Sequence, residues 1–172
     1  ALRLAEQTGG AFDPTLAPML KLWGFGPGPV PAAPPSETAL ADVRQRVGWH
    51  RVSVRHGAGR WTLYRDGDVE LDLDAVAQGF TADAVATALR ARGATNVMVE
   101  IGGEVVVSGH NAQGRLWRIG VDLPLPDTLP GERLAGVLHL TDCAVATSGG
   151  YRRRRTTAGH DAVIHIFDGR LG

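Results

Sequence analysis

The chain has 172 residues, 44% hydrophobic and 21% charged, which is ordinary globular composition and enough to bury a sizeable core. Eighteen Lys and Arg balance 18 Asp and Glu, so the formal net charge is zero and the chain-wide attraction on which most nucleic-acid binders rely is missing. The single cysteine, Cys143, excludes an internal disulfide framework, and no segment approaches the ~18 apolar residues of a membrane helix.

Residues 1–8 predict a short amphipathic helix, already under way at Ala1 and stopped by Gly9-Gly10. In "AFDPTLAPML", Pro14 forces Asp13 into an extended or turn conformation, and "GFGPGPVPAAPP" is too rich in proline and glycine for regular structure. Ser36 is placed to cap a helix running to about Arg46. The runs "HRVSVR", "RWTLYR" and "VELDLD" alternate apolar and polar residues, which predicts an antiparallel three-strand meander. "AVAQGFTADAVATALRARG" then takes helical spacing, with Val76, Phe80, Val85 and Leu89 near one face and Gly93 as the stop.

Downstream, "NVMVEIGGEVVVSG" predicts two strands around Gly102-Gly103, and "LWRIGVDLP", "LAGVLHLTD" and "DAVIHIFD" predict three more. Many short strands with a few helices, not in strict alternation, argue for an α+β fold with antiparallel sheet. The first helix has no N-cap before it and "HIFDGRLG" stops on a turn, so the expectation is one domain, 1–172, incomplete at both ends.

Several motifs carry chemical possibilities. Asp72 and Asp74 of "LDLDAVAQGFTAD" alternate with leucines where a strand enters a helix, whose free N–H groups suit a phosphate. Capping of that helix by Asp74 explains the same pattern equally well. Phe12, Trp23 and Phe25, set among glycines, can stack a planar ring such as a flavin or adenine, or pack an irregular core. His165 and Asp168 are three apart, on opposite faces if both lie in one strand, which argues against a direct pair.

Hydrolase and dinucleotide-fold signals are weak. Cys143 has no local histidine, Ser148 in "TSGG" lacks the glycine two before it that a nucleophile elbow needs, and "GFGPGP" and "EIGGEV" fail the dinucleotide fingerprint. The run Arg152 to Arg155 is a local basic patch in a neutral chain, with Arg154 and Arg155 expected at a solvated strand end.

Five blocks in order, "TGGAFDPTLAPMLKLWGFGP", "LDLDAVAQGFTAD", "VEIGGEVVVSG", "AVATSGGYRR" and "IHIFDGRLG", resemble one family, the FAD:protein FMN transferases or ApbE family. The resemblance implies an α+β, T-fold-like architecture of antiparallel sheets with packed helices. It implies a Mg²⁺-dependent enzyme that transfers FMN from FAD to a threonine or serine hydroxyl of an acceptor flavoprotein subunit and releases AMP. The alternative within the same fold is a non-catalytic FAD-binding or scaffold protein that has lost the metal site. Nucleic acid is not an expected partner, and a membrane enters only through a lipid anchor of the kind that places relatives on the periplasmic side.

Residue by residue, the resemblance puts FAD contacts on Ala11, Phe12, Asp13, Asp72 and Gln78. It puts a flavin-binding and catalytic role on His165, and a metal contact on the backbone carbonyl of Ala75. Imidazoles titrate near neutral pH, which suits accepting the hydroxyl proton. The small turn Thr147 to Gly150 is expected to let backbone approach the cofactor, with Tyr151 and Arg152 beside it. Three departures stand out. Gln78 replaces a common lysine. Gly169 and Leu171 replace the proline and threonine of "HIIDPRTG", which predicts a looser turn. The family's carboxylate metal ligand lies in a later block that this chain ends before, as expected of a piece of a longer enzyme or, alternatively, of a natural short member that cannot hold the metal in the usual way.

Overall fold

The computed structural model describes residues 1–125, 128–151, 154–156 and 162–171. In chain order the helices are α1 (Leu2–Gln7), α2 (Ala17–Leu22), α3 (Glu37–Arg44) and α4 (Asp74–Ala91), with a 3₁₀ turn at Trp49–Arg51. The strands are β1 (Val52–Gly57), β2 (Arg60–Arg65), β3 (Val97–Ile101), β4 (Glu104–Ser108), β5 (Trp117–Asp122), β6 (Leu134–Leu140), β7 (Cys143–Val145), β8 (Arg154–Arg155) and β9 (Val163–Ile164). Among the described residues every strand pairing is antiparallel, and helices and sheets together make the α+β class expected from the sequence. Among the described residues no helix is long and apolar enough to cross a membrane. The chain divides into two compact units: Ala1–Leu73 with the described part of Arg153–Gly172, and the described part of Asp74–Arg152.

In the first unit, α1 ends as its glycines predict. Gly10 N–H reaches the Ala5 carbonyl at 2.8 Å. Ser36 Oγ accepts the Ala39 N–H at 3.2 Å and so caps α3, which ends at Arg44, two residues short of the expected stop. The apolar faces of α2 and α3 meet in a core of Leu16, Met19, Leu40 and Val43, against which Trp23, Val47 and Phe167 pack. Burial of each such side chain stabilises by about 1.5–3 kcal/mol.

The three-strand meander is not formed. β1 and β2 pair as a hairpin over Val52↔Arg65, but residues 69–73 join no ladder. Their backbone is bound elsewhere: Arg65 Nη1 donates to the Val69 carbonyl at 2.8 Å and Asp72 N–H donates to the Pro14 carbonyl at 2.8 Å. Val69 is buried, and Glu70 forms an ion pair with Lys21 of α2 that holds its carboxyl below the ordinary range. Alternation identified an extended segment, and side-chain and loop partners decided what it pairs with.

The second unit is layered. α4 packs on the sheet β3-β4-β7 through Ala82, Ala86, Val97 and Val106, while Val105 and Val107 on the other face of β4 meet Ile119, Trp117 and Leu140 of the β5–β6 ladder. Period-two alternation along β4 therefore serves two neighbours, which explains its unbroken valines. The buried stripe of α4 differs from the expected one. Phe80 is 74% exposed, and alanines rather than Val85 and Leu89 face the sheet, because small side chains let the helix approach it closely.

Candidate active site

The loop after α1 is organised by Asp13. Its Oδ1 accepts the Thr15 N–H at 2.8 Å and the Thr15 hydroxyl at 2.6 Å, and its Oδ2 accepts the Trp49 N–H at 3.0 Å. Thr15 Oγ1 in turn accepts the Gly48 N–H at 2.7 Å. Asp13 and Thr15 are both buried, and a carboxylate is tolerated there because it is surrounded by donors. Ala11 and Phe12 are half-buried, with Phe12 N–H held by Thr8 Oγ1 at 3.1 Å.

Residues 167–171 dock against this loop. Gly169 N–H donates to the Ala11 carbonyl at 3.0 Å, and a Cβ at Gly169 would lie 2.5 Å from the Gly10 carbonyl oxygen. The expected looser turn is therefore a tight one: glycine supplies a donor that proline lacks and fits a space that a side chain would overfill. Asp168 fixes the turn from inside, accepting the Arg170 N–H at 3.0 Å and Nε at 2.9 Å. The Arg170 guanidinium holds the Asp168 carboxyl down at about 2. A cavity of about 310 Å³ opens beside the junction, lined in part by Gly10, Asp13, Trp49, His50, Gly169 and Arg170. Another hollow, of about 520 Å³ beside the β1–β2 hairpin, is lined by none of the predicted site residues.

His165 follows β9 directly. The strand ends at Ile164, so the opposite-face argument does not govern His165 and Asp168; the Asp168 carboxylate is occupied by Arg170. The half-buried His165 ring lies 6.3 Å from Phe25, and Phe25 and Trp23 both pack on Phe167, at 6.0 and 6.4 Å between centroids. The aromatics thus pack on one another and on the histidine segment. Arg154 is exposed, as expected of a strand end, but Arg155 is half-buried with its guanidinium 5.1 Å above the Phe25 ring. Pairing of β8 with β9 alternates the two arginines across the ribbon and accounts for the difference. Arg152, Arg153 and Gly172 lie outside the described residues.

The first unit accordingly contains Ala11, Phe12, Asp13, Asp72 and His165, with Asp72 joined to the loop through its N–H to Pro14. Ala75 and Gln78 belong to the second unit, exposed on the first turns of α4. Gln78 lies across the β3–β4 turn, where a Cβ at Gly102 would meet its Nε2 at 2.5 Å. The Tyr151 ring similarly covers Gly149 of the small turn, with Cε1 2.8 Å from where a Cβ would stand. Among the described residues no three His, Cys, Asp or Glu come together to hold a metal ion. The Ala75 carbonyl sits in the first turn of α4. These residues do not by themselves compose an octahedral oxygen set for Mg²⁺.

Sequence reasoning passed over Thr15, and it read Gly169 as a loosening of the turn and Arg155 as solvated. The Asp-Pro-Thr spacing is an Asx-turn signal that identifies Thr15. The close approach at Gly169 and the ring under Arg155 depend on distant segments, and no local signal marks them.

The family model of the ApbE family matches residues 1–172. The FAD:protein FMN transferase of Klebsiella pneumoniae is 31% identical over 100% of this chain and 48% of its own length. That of Haemophilus influenzae is 38% identical over 88% of this chain and 44% of its own. Among solved structures, the flavin transferase ApbE from Vibrio cholerae superposes with a TM-score of 0.78 at 35% identity, covering 99% of this chain and 52% of that one. The apo flavinyl transferase ApbE of Pseudomonas stutzeri gives 0.80 at 32% identity, covering 98% and 50%. The chain thus spans about half the length of the relatives it matches. With the family model matched from the first residue to the last, the chain belongs to the ApbE family.

Proposed function

We propose that this chain works as part of a flavin transferase that moves FMN from FAD to a threonine or serine hydroxyl of an acceptor protein and releases AMP. The observation that carries the proposal is the match along the whole chain to relatives named FAD:protein FMN transferase. The geometry supports it through one arrangement. Residues 165–171, containing His165, dock on the "GGAFD" loop by the Gly169–Ala11 hydrogen bond, beside aromatic faces and a cavity.

In the transfer, the hydroxyl oxygen forms a bond to the FMN-side phosphorus as the phosphoanhydride bond breaks and AMP departs with the bridging oxygen. The hydroxyl proton must be accepted. His165 is assigned that role, while the loop around Asp13 gives the flavin dinucleotide a fixed wall. The Mg²⁺ implied by the resemblance is part of the proposal as a charge-neutralising ion, with no ligand set assigned to it in this chain.

The test is incubation of the full-length protein with FAD, Mg²⁺ and a threonine-containing acceptor, read by mass spectrometry of the acceptor and by AMP release. Added FMN mass with equimolar AMP is expected. FAD binding with neither product overturns the transferase and leaves a flavin-binding protein. His165→Ala is expected to lower transfer by roughly 10²–10⁴-fold while leaving the fold intact; unchanged transfer removes His165 from the chemistry.

A further inference from the structure

We infer that Arg155 is a phosphate-binding residue, a pre-oriented cation that grips a phosphoryl group of the dinucleotide next to His165. The inference rests on the flavin-dinucleotide reading and adds to it a residue that the resemblance does not supply. Phe25 is the shared neighbour. Its ring lies 5.1 Å below the Arg155 guanidinium and 6.3 Å from the His165 ring, so the cation and the imidazole abut the same aromatic side chain.

The guanidinium is held from several sides. Pairing of Arg155 with Val163 fixes its backbone. Its Nε and Cζ lie close to Gly24, 3.5 and 3.6 Å from the position of a Cβ there. Phe25 supports the flat face by cation–π attraction, which leaves the edge of the fork to bind. A solvated arginine has neither restraint.

Among the described residues the Arg155 Nε is buried without a hydrogen-bond partner, and the side chain forms no ion pair with an acid. A dry, unpaired Nε leaves the head short of hydrogen bonds, and an anion at its remaining N–H groups supplies charge-assisted ones. The fork geometry suits the paired oxygens of a phosphate, and the proposed reaction brings a diphosphate to this unit. A phosphoryl group held by Arg155 is thereby presented to the histidine assigned the hydroxyl proton.

The experiment compares phosphorylated and unphosphorylated ligands on the full-length protein: ADP against adenosine, and FAD against riboflavin, by calorimetric titration without acceptor. Arg155→Met is expected to weaken ADP and FAD by about 10- to 100-fold, the range of a charge-assisted hydrogen bond, and to leave adenosine and riboflavin within about twofold. Arg155→Lys, keeping the charge without the fork, is expected to fall between. Unchanged ADP and FAD affinity in Arg155→Met overturns the inference. So does a parallel loss of riboflavin, which indicates that Arg155 only packs Phe25. Melting temperatures establish that the variants fold, and Arg155→Lys carries the comparison if the methionine variant does not. A wild-type protein that binds ADP through Arg155 but never transfers FMN refutes the transferase and spares this assignment.

Discussion

Gly169 donates its backbone N–H to the carbonyl oxygen of Ala11 at 3.0 Å, and no space remains at its Cα for a side chain. Through this one contact two distant parts of the sequence, "GGAFD" and "IHIFDGR", become a single surface. Gly169→Ala places a methyl 2.5 Å from the Gly10 oxygen and 2.8 Å from Asp13 Cβ, and both neighbours are constrained. Overpacking of this kind costs about 1–3 kcal/mol. Gly169→Pro adds the loss of the N–H donor and is expected to be worse than alanine. Thermal melts with limited proteolysis of the C-terminal segment check the order glycine, alanine, proline; a proline variant as stable as wild type refutes it.

Asp13 is expected to be a structural residue first. Its carboxylate receives three donors, and Thr15 extends the network to Gly48. Asp13→Ala leaves buried N–H groups unpaired and is expected to destabilise by roughly 2–4 kcal/mol. Asp13→Asn turns an amide toward a donor and falls in the same direction. Thr15→Val removes the link to the Gly48 N–H and costs about 1–2 kcal/mol. Urea denaturation of the three variants, with FAD titration on those that fold, separates stability from binding. Undiminished stability in Asp13→Ala contradicts the structural role.

Local signals carried the fold a long way. The Gly9-Gly10 stop, the Ser36 cap and the Gly102-Gly103 turn are each a residue type demanded by a backbone conformation, so sequence alone located them. The missing third strand shows the limit: "VELDLD" has the right alternation, but Arg65, Pro14 and Lys21 claim its polar groups before a ladder forms. The stripe on α4 shows another. Hydrophobicity favoured Phe80, Val85 and Leu89, whereas close helix–sheet packing favoured Ala82 and Ala86. Of the candidate site, the blocks themselves were legible. The role of Arg155 was not, since nothing within four residues reports the ring of Phe25 beneath it.

The pair Asp168–Arg170 makes a specific pH prediction. The folded carboxyl sits at about 2, below the ordinary value of 3.8, so the folded state binds the proton more weakly than the unfolded chain. The stabilising contribution is then fully present above about pH 4 and lost as pH falls toward 2. Arg170→Met removes the cause. The stability difference between wild type and Arg170→Met is expected to be constant from pH 5 to 7, to shrink between about 4 and 2, and to be reduced by salt, since the pair is exposed. Chemical denaturation across that range reads it. A difference that grows on acidification reverses the sign and refutes the assignment.

Gln78 and Gly102 offer a test of coupling inside the second unit. Gly102 has φ +62°, a conformation that disfavours any side chain, and a Cβ there would also strike Gln78 Nε2 at 2.5 Å. Two penalties are thus superposed in Gly102→Ala: backbone strain of about 1 kcal/mol, independent of Gln78, and a clash that exists only while Gln78 is long. Gln78→Ala, on an exposed first turn of α4, is expected to change stability by less than about 0.5 kcal/mol. In the double variant the clash disappears and the strain remains, so the two changes cost less together than the sum of the singles, by about 0.5–1.5 kcal/mol. Because the amide is the far end of a flexible side chain, the lower half of that range is expected. A double-mutant cycle in urea measures it, and strict additivity would show that Gln78 does not rest on the β3–β4 turn.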